Sequence, residues 1–335
     1  LIEEALSGEV EITSDWSTLQ TRRNRLLIFT ITLNPSVDIQ YRVADFKENS
    51  VNRVADVSKT AGGKGLNVAR VIRQLDERVA ASGLLGGSLG DFISKELKRL
   101  DIQNDFMAIE GDTRNCIAII HDGKQTEILE SGPVIQEKEA NGFLTTFREL
   151  AEQANWITVS GSLPKGLPDD YYQEMLAIAK YVGTPVLLDT KGDLLVRALQ
   201  SETPPYLIKP NQDELADLLG KENLCIEDIK EAVQSPLFAG VEWVVVTLGE
   251  LGAVVKHKDK VYRVRSPKIN AVNPVGSGDS VIAGFATGLA RQLGGEKLMK
   301  FGLTMGVLNA MEEQTGYIDT SKVVWCMEQM EVMEI

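Results

Sequence analysis

Short apolar runs alternate with helix-periodic stretches through most of the chain, and that alternation restricts the fold more than any single motif. Leu26-Leu27-Ile28-Phe29-Thr30-Ile31-Thr32-Leu33 reads as a buried strand. Trp156–Ser160, Val186–Asp189, Tyr206–Lys209 and Val244–Thr247 read the same way. Helical periodicity occupies Gly65–Leu75, Asp91–Leu100, Tyr171–Lys180 and Asp213–Leu219. Strands spaced by helices call for an α/β fold, with a mostly parallel sheet covered on both faces. In such sheets ligands bind outside the carboxyl ends of the strands. The residues at those ends are Asn34 and Asp38, Ser160-Gly161-Ser162, Asp189, Lys209-Pro210-Asn211 and Thr247-Leu248-Gly249. Each of these strand ends can meet a ligand.

Two excursions have a different texture. From Ile39 to Thr60 the pattern is alternating and half-polar, as in Gln40–Val43 and Asn52–Val57. It returns at Cys116–Ile120 and Gln125–Leu129, joined through Asp122-Gly123, a hairpin signal. These stretches predict a small antiparallel sheet built from about residues 39–60 and 103–130, serving as a lid, a dimer contact or both. Residues 1–24 are polar and lack turn signals, so an appended or poorly ordered arm is expected there, ahead of one folded unit at 25–335.

Composition removes several function classes. A net charge of −13 argues against a nucleic-acid or anionic-membrane surface. The three cysteines, Cys116, Cys225 and Cys326, lie far apart, with no metal-ligand pair among them. With only His121 and His257, a zinc site or a serine–histidine–aspartate triad is not expected. No bilayer-length apolar run or signal segment is seen, so a cytoplasmic protein is expected.

Three motifs carry chemistry. In Asn273-Pro274-Val275-Gly276-Ser277-Gly278-Asp279-Ser280 the glycines let consecutive N–H groups converge where a helix begins. Helix start and convergent donors together make an anion site. Asp279 then stands in the first helical turn, where it can take a proton from a hydroxyl attacking a phosphate. The same residues also read as an ordinary capped turn. Val281 stands where a dinucleotide fingerprint needs glycine, and Ser58 and Gly65 break a P-loop around Lys64. Ala61-Gly62-Gly63-Lys64-Gly65-Leu66-Asn67-Val68-Ala69-Arg70 is a second glycine-rich turn entering a helix. It reads either as a close ligand approach beside a lysine or as a flexible loop. Lys209-Pro210-Asn211-Gln212-Asp213-Glu214 sets Asn211 and Glu214 on one face of a helix start. Their oxygens suit Mg²⁺ and equally make a capping box.

The two glycine-rich motifs, in this order and at this distance, resemble the signatures of the PfkB/ribokinase family of sugar kinases. Lys209-Pro210-Asn211-x-x-Glu214 is similar to the family's Asn-x-x-Glu motif, and Thr247-Leu248-Gly249-x-x-Gly252 to its nucleotide-site turn. The match runs from about Leu27 to near the C-terminus. It implies a ribokinase-like three-layer sandwich with a β lid, and ATP and Mg²⁺ as cofactors. It implies that Asp279 is the base and that the amides of Gly276, Ser277 and Gly278 hold the transferring phosphoryl group. Asn211 and Glu214 would position Mg²⁺. Lys209 would lie beside the nucleotide phosphates, Thr247, Gly249 and Gly252 would border the nucleotide, and Asn309 would lie near the adenine. Asp38, Asn34, Asn67 and the Gly62-Gly63 turn would hold the sugar. Asn273 is a departure, because many members carry Asp there in the loop tied to monovalent-cation activation.

Thr32–Asp38 and Gly62–Val68 resemble the family's phosphohexose branch, which implies an acceptor sugar already phosphorylated. Arg53, Lys64 and Arg114 are the cations expected around its distal phosphate. Asn273–Asp279, Ile128–Pro133, Leu188–Asp193 and Phe238–Trp243 resemble the branch members acting on tagatose 6-phosphate. That implies transfer to its 1-hydroxyl. A 1-phosphofructokinase and a catalytically silent sugar-phosphate sensor remain the alternatives. Similar proteins pair through the lid sheet, so a homodimer is an expected partner state.

Overall fold

The structure, a computed structural model, describes residues 27–335, so the arm expected at 1–24 lies outside the described residues. In chain order the elements begin with β1 (Leu27–Thr32), β2 (Ser36–Arg42), β3 (Asp56–Gly62), α1 (Lys64–Gln74), β4 (Arg78–Leu85) and α2 (Gly87–Arg99). Next come β5 (Gln103–Asn104), β6 (Met107–Ala108), β7 (Arg114–His121), β8 (Lys124–Leu129), α3 (Glu137–Gln153), β9 (Trp156–Ser160) and α4 (Tyr171–Val182). They are followed by β10 (Val186–Asp189), α5 (Asp193–Leu199), β11 (Leu207–Ile208), α6 (Gln212–Leu219), α7 (Ile226–Val233) and β12 (Trp243–Thr247). The chain ends with β13 (Ala253–His257), β14 (Lys260–Arg265), α8 (Ser277–Ala290), α9 (Gly295–Ala310), α10 (Val323–Gln329) and β15 (Glu331–Glu334).

The central sheet runs β15-β14-β13-β12-β11-β10-β9-β1-β4-β5, with β6 also on β4. From β4 across to β12 neighbours are parallel, because a helix crosses between successive strands. From β12 to β15 they are antiparallel. The β12–β13 connection, with a single 3₁₀ turn at Gly249–Leu251, is too short for a crossover. Alternate residues of each strand feed two cores. Ile28, Trp243 and Val245 pack with α1, α8 and α9, while Phe29, Ile31, Val244 and Val246 pack with α3, α4, α6 and α7. That is the expected sheet between two helical layers. None of the described helices is long and apolar enough to cross a membrane.

The second sheet runs β3-β2-β7-β8. It corrects the antiparallel expectation, because β2 pairs with β7 in parallel while both outer pairs are antiparallel. Parallel pairing here is a long-range event joining the two excursions, and local alternation carries no sign of its direction. Residues 103–108, counted with the lid from their sequence position, instead add β5 and β6 to the edge of the central sheet. The strand expected from Asn52 starts only at Asp56. Asn52 exchanges two hydrogen bonds with the Lys47 backbone, at 2.9 and 2.8 Å, and so closes a loop. The Asp122-Gly123 hairpin is as expected, both residues having positive φ.

Candidate active site

The carboxyl ends of β10 to β12, the lid and the start of α8 enclose a cleft of about 1370 Å³. At its floor the loop before α8 is preset by its own amides. Asn273 Oδ1 accepts from the Val275 N–H at 3.0 Å, and its Nδ2 donates to Glu313 O at 3.0 Å. Gly276 caps α8 with φ of 81°, the left-handed region, and a side chain there would strike Thr315. The Ser277 N–H closes the turn onto Pro274 O at 3.2 Å. Of the three amides expected to hold phosphate, those of Gly276 and Gly278 have no backbone acceptor among the described residues.

Asp279 follows in the first turn of α8, only 6% exposed. Its Oδ2 accepts a hydrogen bond from Asn67 Nδ2 at 2.8 Å. Burial pushes its carboxyl up to about 6, with help from the negative charge of Asp189, against the pull of Lys64, Asn67 and Lys209. A carboxyl poised there is ionised at neutral pH yet basic enough to take a proton.

Asp189 ends β10 fully buried and joins two lysines from distant parts of the chain. Lys64 Nζ lies 3.2 Å from its Oδ2, and Lys209 Nζ lies 3.3 Å from its Oδ1. Burial alone would raise the Asp189 pKa, but the lysines outweigh it and hold the group ionised. Burial would likewise lower Lys64, and the carboxylates of Asp189, Asp279 and Glu214 reverse that. A Cβ on Gly278 would lie 3.0 Å from Lys209 Nζ, so the ammonium abuts the phosphate-side backbone. In the sequence Asp189 stands out only as a polar residue at a strand end. Its position beside Lys209 on neighbouring parallel strands was the available signal.

On the lid side, register sets Asp38, Gln40, Ser58, Thr60, Cys116, Ala118, Glu127 and Leu129 on one face of the sheet, and all of them line the cleft. Asp38 Oδ1 accepts from Ser36 Oγ at 2.6 Å, and burial raises its pKa. Gly62 packs so closely on that carboxylate that no other residue fits there. Gly63, Lys64, Asn67 and Arg114 line the cleft, while Gly62 and Asn34 stand directly behind it. Arg114 donates to Glu130 O at 2.9 Å and to Asn34 O at 3.2 Å, which fixes its guanidinium at the rim. Arg53 is not brought to this site: it is exposed just past the loop that Asn52 closes, outside the cleft lining.

At the opposite end Lys209, Asn211, Glu214, Thr247, Gly249 and Gly252 line the cleft together, and a β-bridge joins Asn211 to Thr247. Asn211 and Glu214 form the capping box, with Glu214 Oε2 taking the Asn211 N–H at 3.0 Å and Asn211 Oδ1 taking the Glu214 N–H at 2.7 Å. Among the described residues no cluster of three or more His, Cys, Asp or Glu could cage a metal. One carboxylate with a spare oxygen and one amide fit Mg²⁺, which keeps water and substrate phosphate as its other ligands. Arg263, Arg265 and Lys268 also line this end. In the sequence these charges, on and just after a half-exposed hairpin, are indistinguishable from ordinary solvated residues.

Asn309 corrects an expectation. It is fully buried and does not line the cleft; its Nδ2 donates to Val275 O at 2.9 Å and its Oδ1 accepts from the Gly316 N–H at 2.8 Å. The packing of α9 against α8 turns this amide inward, where it braces the anion loop. Val307 and Ala310 of the same helix line the cleft instead.

Known proteins agree with this architecture. A family model for pfkB family carbohydrate kinases matches residues 28–321. A solved structure of a Staphylococcus aureus chain assigned as a phosphofructokinase is 32% identical, with a TM-score of 0.79, covering 92% of this chain and 99% of that one. Phosphofructokinase-2 from Escherichia coli, in complex with potassium, is 26% identical with a TM-score of 0.83, covering 90% and 98%. A Thermotoga maritima chain assigned as a 1-phosphofructokinase is 24% identical with a TM-score of 0.82, covering 92% and 99%, a likeness of fold.

Proposed function

The chain belongs to the pfkB family of carbohydrate kinases, with its ribokinase-like α/β fold, and on that premise we propose that it phosphorylates D-tagatose 6-phosphate at the 1-hydroxyl with ATP. The observation that carries a kinase reading is Asp279, buried and raised to about 6 beside amides that can take a phosphate. A sensor has no use for a base held in that state.

In this mechanism Asp279 accepts the proton of the attacking hydroxyl, and the Gly276 and Gly278 amides hold the phosphoryl group as charge develops. Lys64, expected from sequence at the distal sugar phosphate, is instead held with Lys209 on Asp189, and the two offset the negative charge of the nucleotide phosphates. Mg²⁺, held through Asn211 and Glu214, would neutralise those phosphates further. Asp38 binds sugar hydroxyls, and Arg114 receives the distal phosphate. The lid face over the cleft excludes water and so limits hydrolysis of ATP. The outer face of the lid exposes Val57 and Ile128 beside Tyr41 and Ile119, which supports a homodimer through this sheet. Sedimentation as a monomer at assay concentration removes that contact.

The tagatose assignment is supported by the resemblance of Asn273–Asp279 and of the three shorter stretches described above. A second reading, a phosphofructokinase, draws on the likeness to the Staphylococcus aureus chain and to Escherichia coli phosphofructokinase-2. ADP release with Mg·ATP against tagatose 6-phosphate, fructose 6-phosphate and fructose 1-phosphate separates them. The proposal expects the highest kcat/KM with tagatose 6-phosphate. A preference for either fructose phosphate assigns the second reading, and no turnover with any of them removes kinase activity on phosphohexoses.

A further inference from the structure

Arg70 lies in the middle of α1, is 5% exposed, and has no place in the mechanism above. A buried guanidinium is costly unless its donors are met. Here three of them are met by neutral groups. Nη1 donates to Asn67 Oδ1 and to Thr315 O, both at 2.9 Å, and Nη2 donates to Ala61 O at 2.6 Å. Its Cζ also sits 5.6 Å from the centre of the Tyr317 ring. Asp38 and Asp279 act on it from a distance, without an ion pair.

A helix residue that only braced carbonyls could be smaller and uncharged. What arginine adds is direction. The Asn67 amide stands between Arg70 and Asp279, and its two ends differ in kind: one only accepts and the other only donates. If it turned its oxygen to Asp279, acceptor would face acceptor, and its NH₂ would face a guanidinium with nothing to receive it. Because Arg70 has no acceptor, only Oδ1 can face it, and Nδ2 is thereby aimed at Asp279 Oδ2. With Oδ2 so engaged, Oδ1 of Asp279 is left for the hydroxyl that reacts. The same guanidinium pins Ala61 O, immediately before the Gly62 turn on Asp38, and so ties the base to the sugar-side backbone.

We propose that Arg70 is a positioning residue for phosphoryl transfer: through Asn67 it sets which oxygen of Asp279 meets the acceptor hydroxyl. The proposal rests on the kinase reading with Asp279 as base.

The test is a double-mutant cycle on the full chain, comparing wild type, Arg70→Ala, Asn67→Ala and the double variant, with Arg70→Lys as a milder companion. The substrate is whichever sugar phosphate the wild type turns over. Arg70→Ala is expected to lower kcat by roughly 10- to 100-fold, the usual penalty for a misaligned reacting group, and to leave both KM values within about twofold. The loss should shrink severalfold in the Asn67→Ala background. Guanidinium ion added to Arg70→Ala should restore rate only where Asn67 is present. Arg70→Lys, which keeps the charge but not the fork, should also lose kcat, and it carries the test if Arg70→Ala does not fold. Equal losses in both backgrounds, or a loss confined to KM, make Arg70 a structural brace and overturn the proposal. Absence of turnover in the wild type removes the kinase reading, and Arg70's role with it.

Discussion

At the head of α8 the charged groups are buried and already paired, whereas Arg114 at the lid rim is half-exposed and held by backbone carbonyls. Asp279, Asp189 and Lys209 are each less than a tenth exposed, and Asp189 alone holds two lysines. Arg114, by contrast, spends its donors on two backbone carbonyls at the rim. The buried end pays for desolvation with fixed geometry, so it is suited to the step that every acceptor shares. The lid end can change its partners at little cost to stability, so it is suited to choosing the acceptor. Chemistry and selectivity are therefore expected to separate under mutation.

The largest effect should come from the buried end. Asp279→Asn keeps the shape and removes the base, so kcat should fall ~10²- to 10⁴-fold. Mg·ATP binding by calorimetry should survive, because Asn67 and the anion loop stay in place. Near-normal turnover in this variant would mean the proton leaves by another route. A smaller effect is expected at the rim. Arg114→Ala should raise KM for the sugar phosphate roughly 10- to 100-fold, the worth of a charge-assisted hydrogen bond, and leave KM for ATP unchanged. Arg53→Ala, outside the cleft, should change either KM less than about twofold in the isolated chain. Equal shifts in both KM values for Arg114→Ala would erase the separation of the two ends.

The parts of this site that could be read from sequence were those fixed locally. Strand ends, the glycine turn at Gly276 and the capping box of Asn211 with Glu214 each depend on neighbours a few residues away. The parts that escaped depend on distant pairing. Lys64 and Asp189 are 125 positions apart, and nothing in either segment points to the other. Parallel pairing of β2 with β7 is hidden for the same reason. Asn309 turned inward because helix packing, not helix periodicity, decides which polar residue is used as a brace. Arg53 stands outside the cleft, just past the loop that the Asn52 side chain closes where alternation suggests a strand. Arg70 looked like one more residue of an amphipathic helix, and only its three acceptors distinguish it.

The most direct test of the account is the pH dependence of kcat/KM in the wild type beside Asp189→Asn. Asp279 must be ionised to act, and burial with Asp189 holds it at about 6 in the free enzyme, so kcat/KM should rise with pH and reach half its plateau near that value. Removing the Asp189 charge takes away a repulsion that raises the Asp279 pKa and frees two lysines that lower it. The acidic limb should therefore move to lower pH. A profile that is flat through this range in the wild type, or a limb that moves upward in Asp189→Asn, would contradict the assignment of Asp279 as the base.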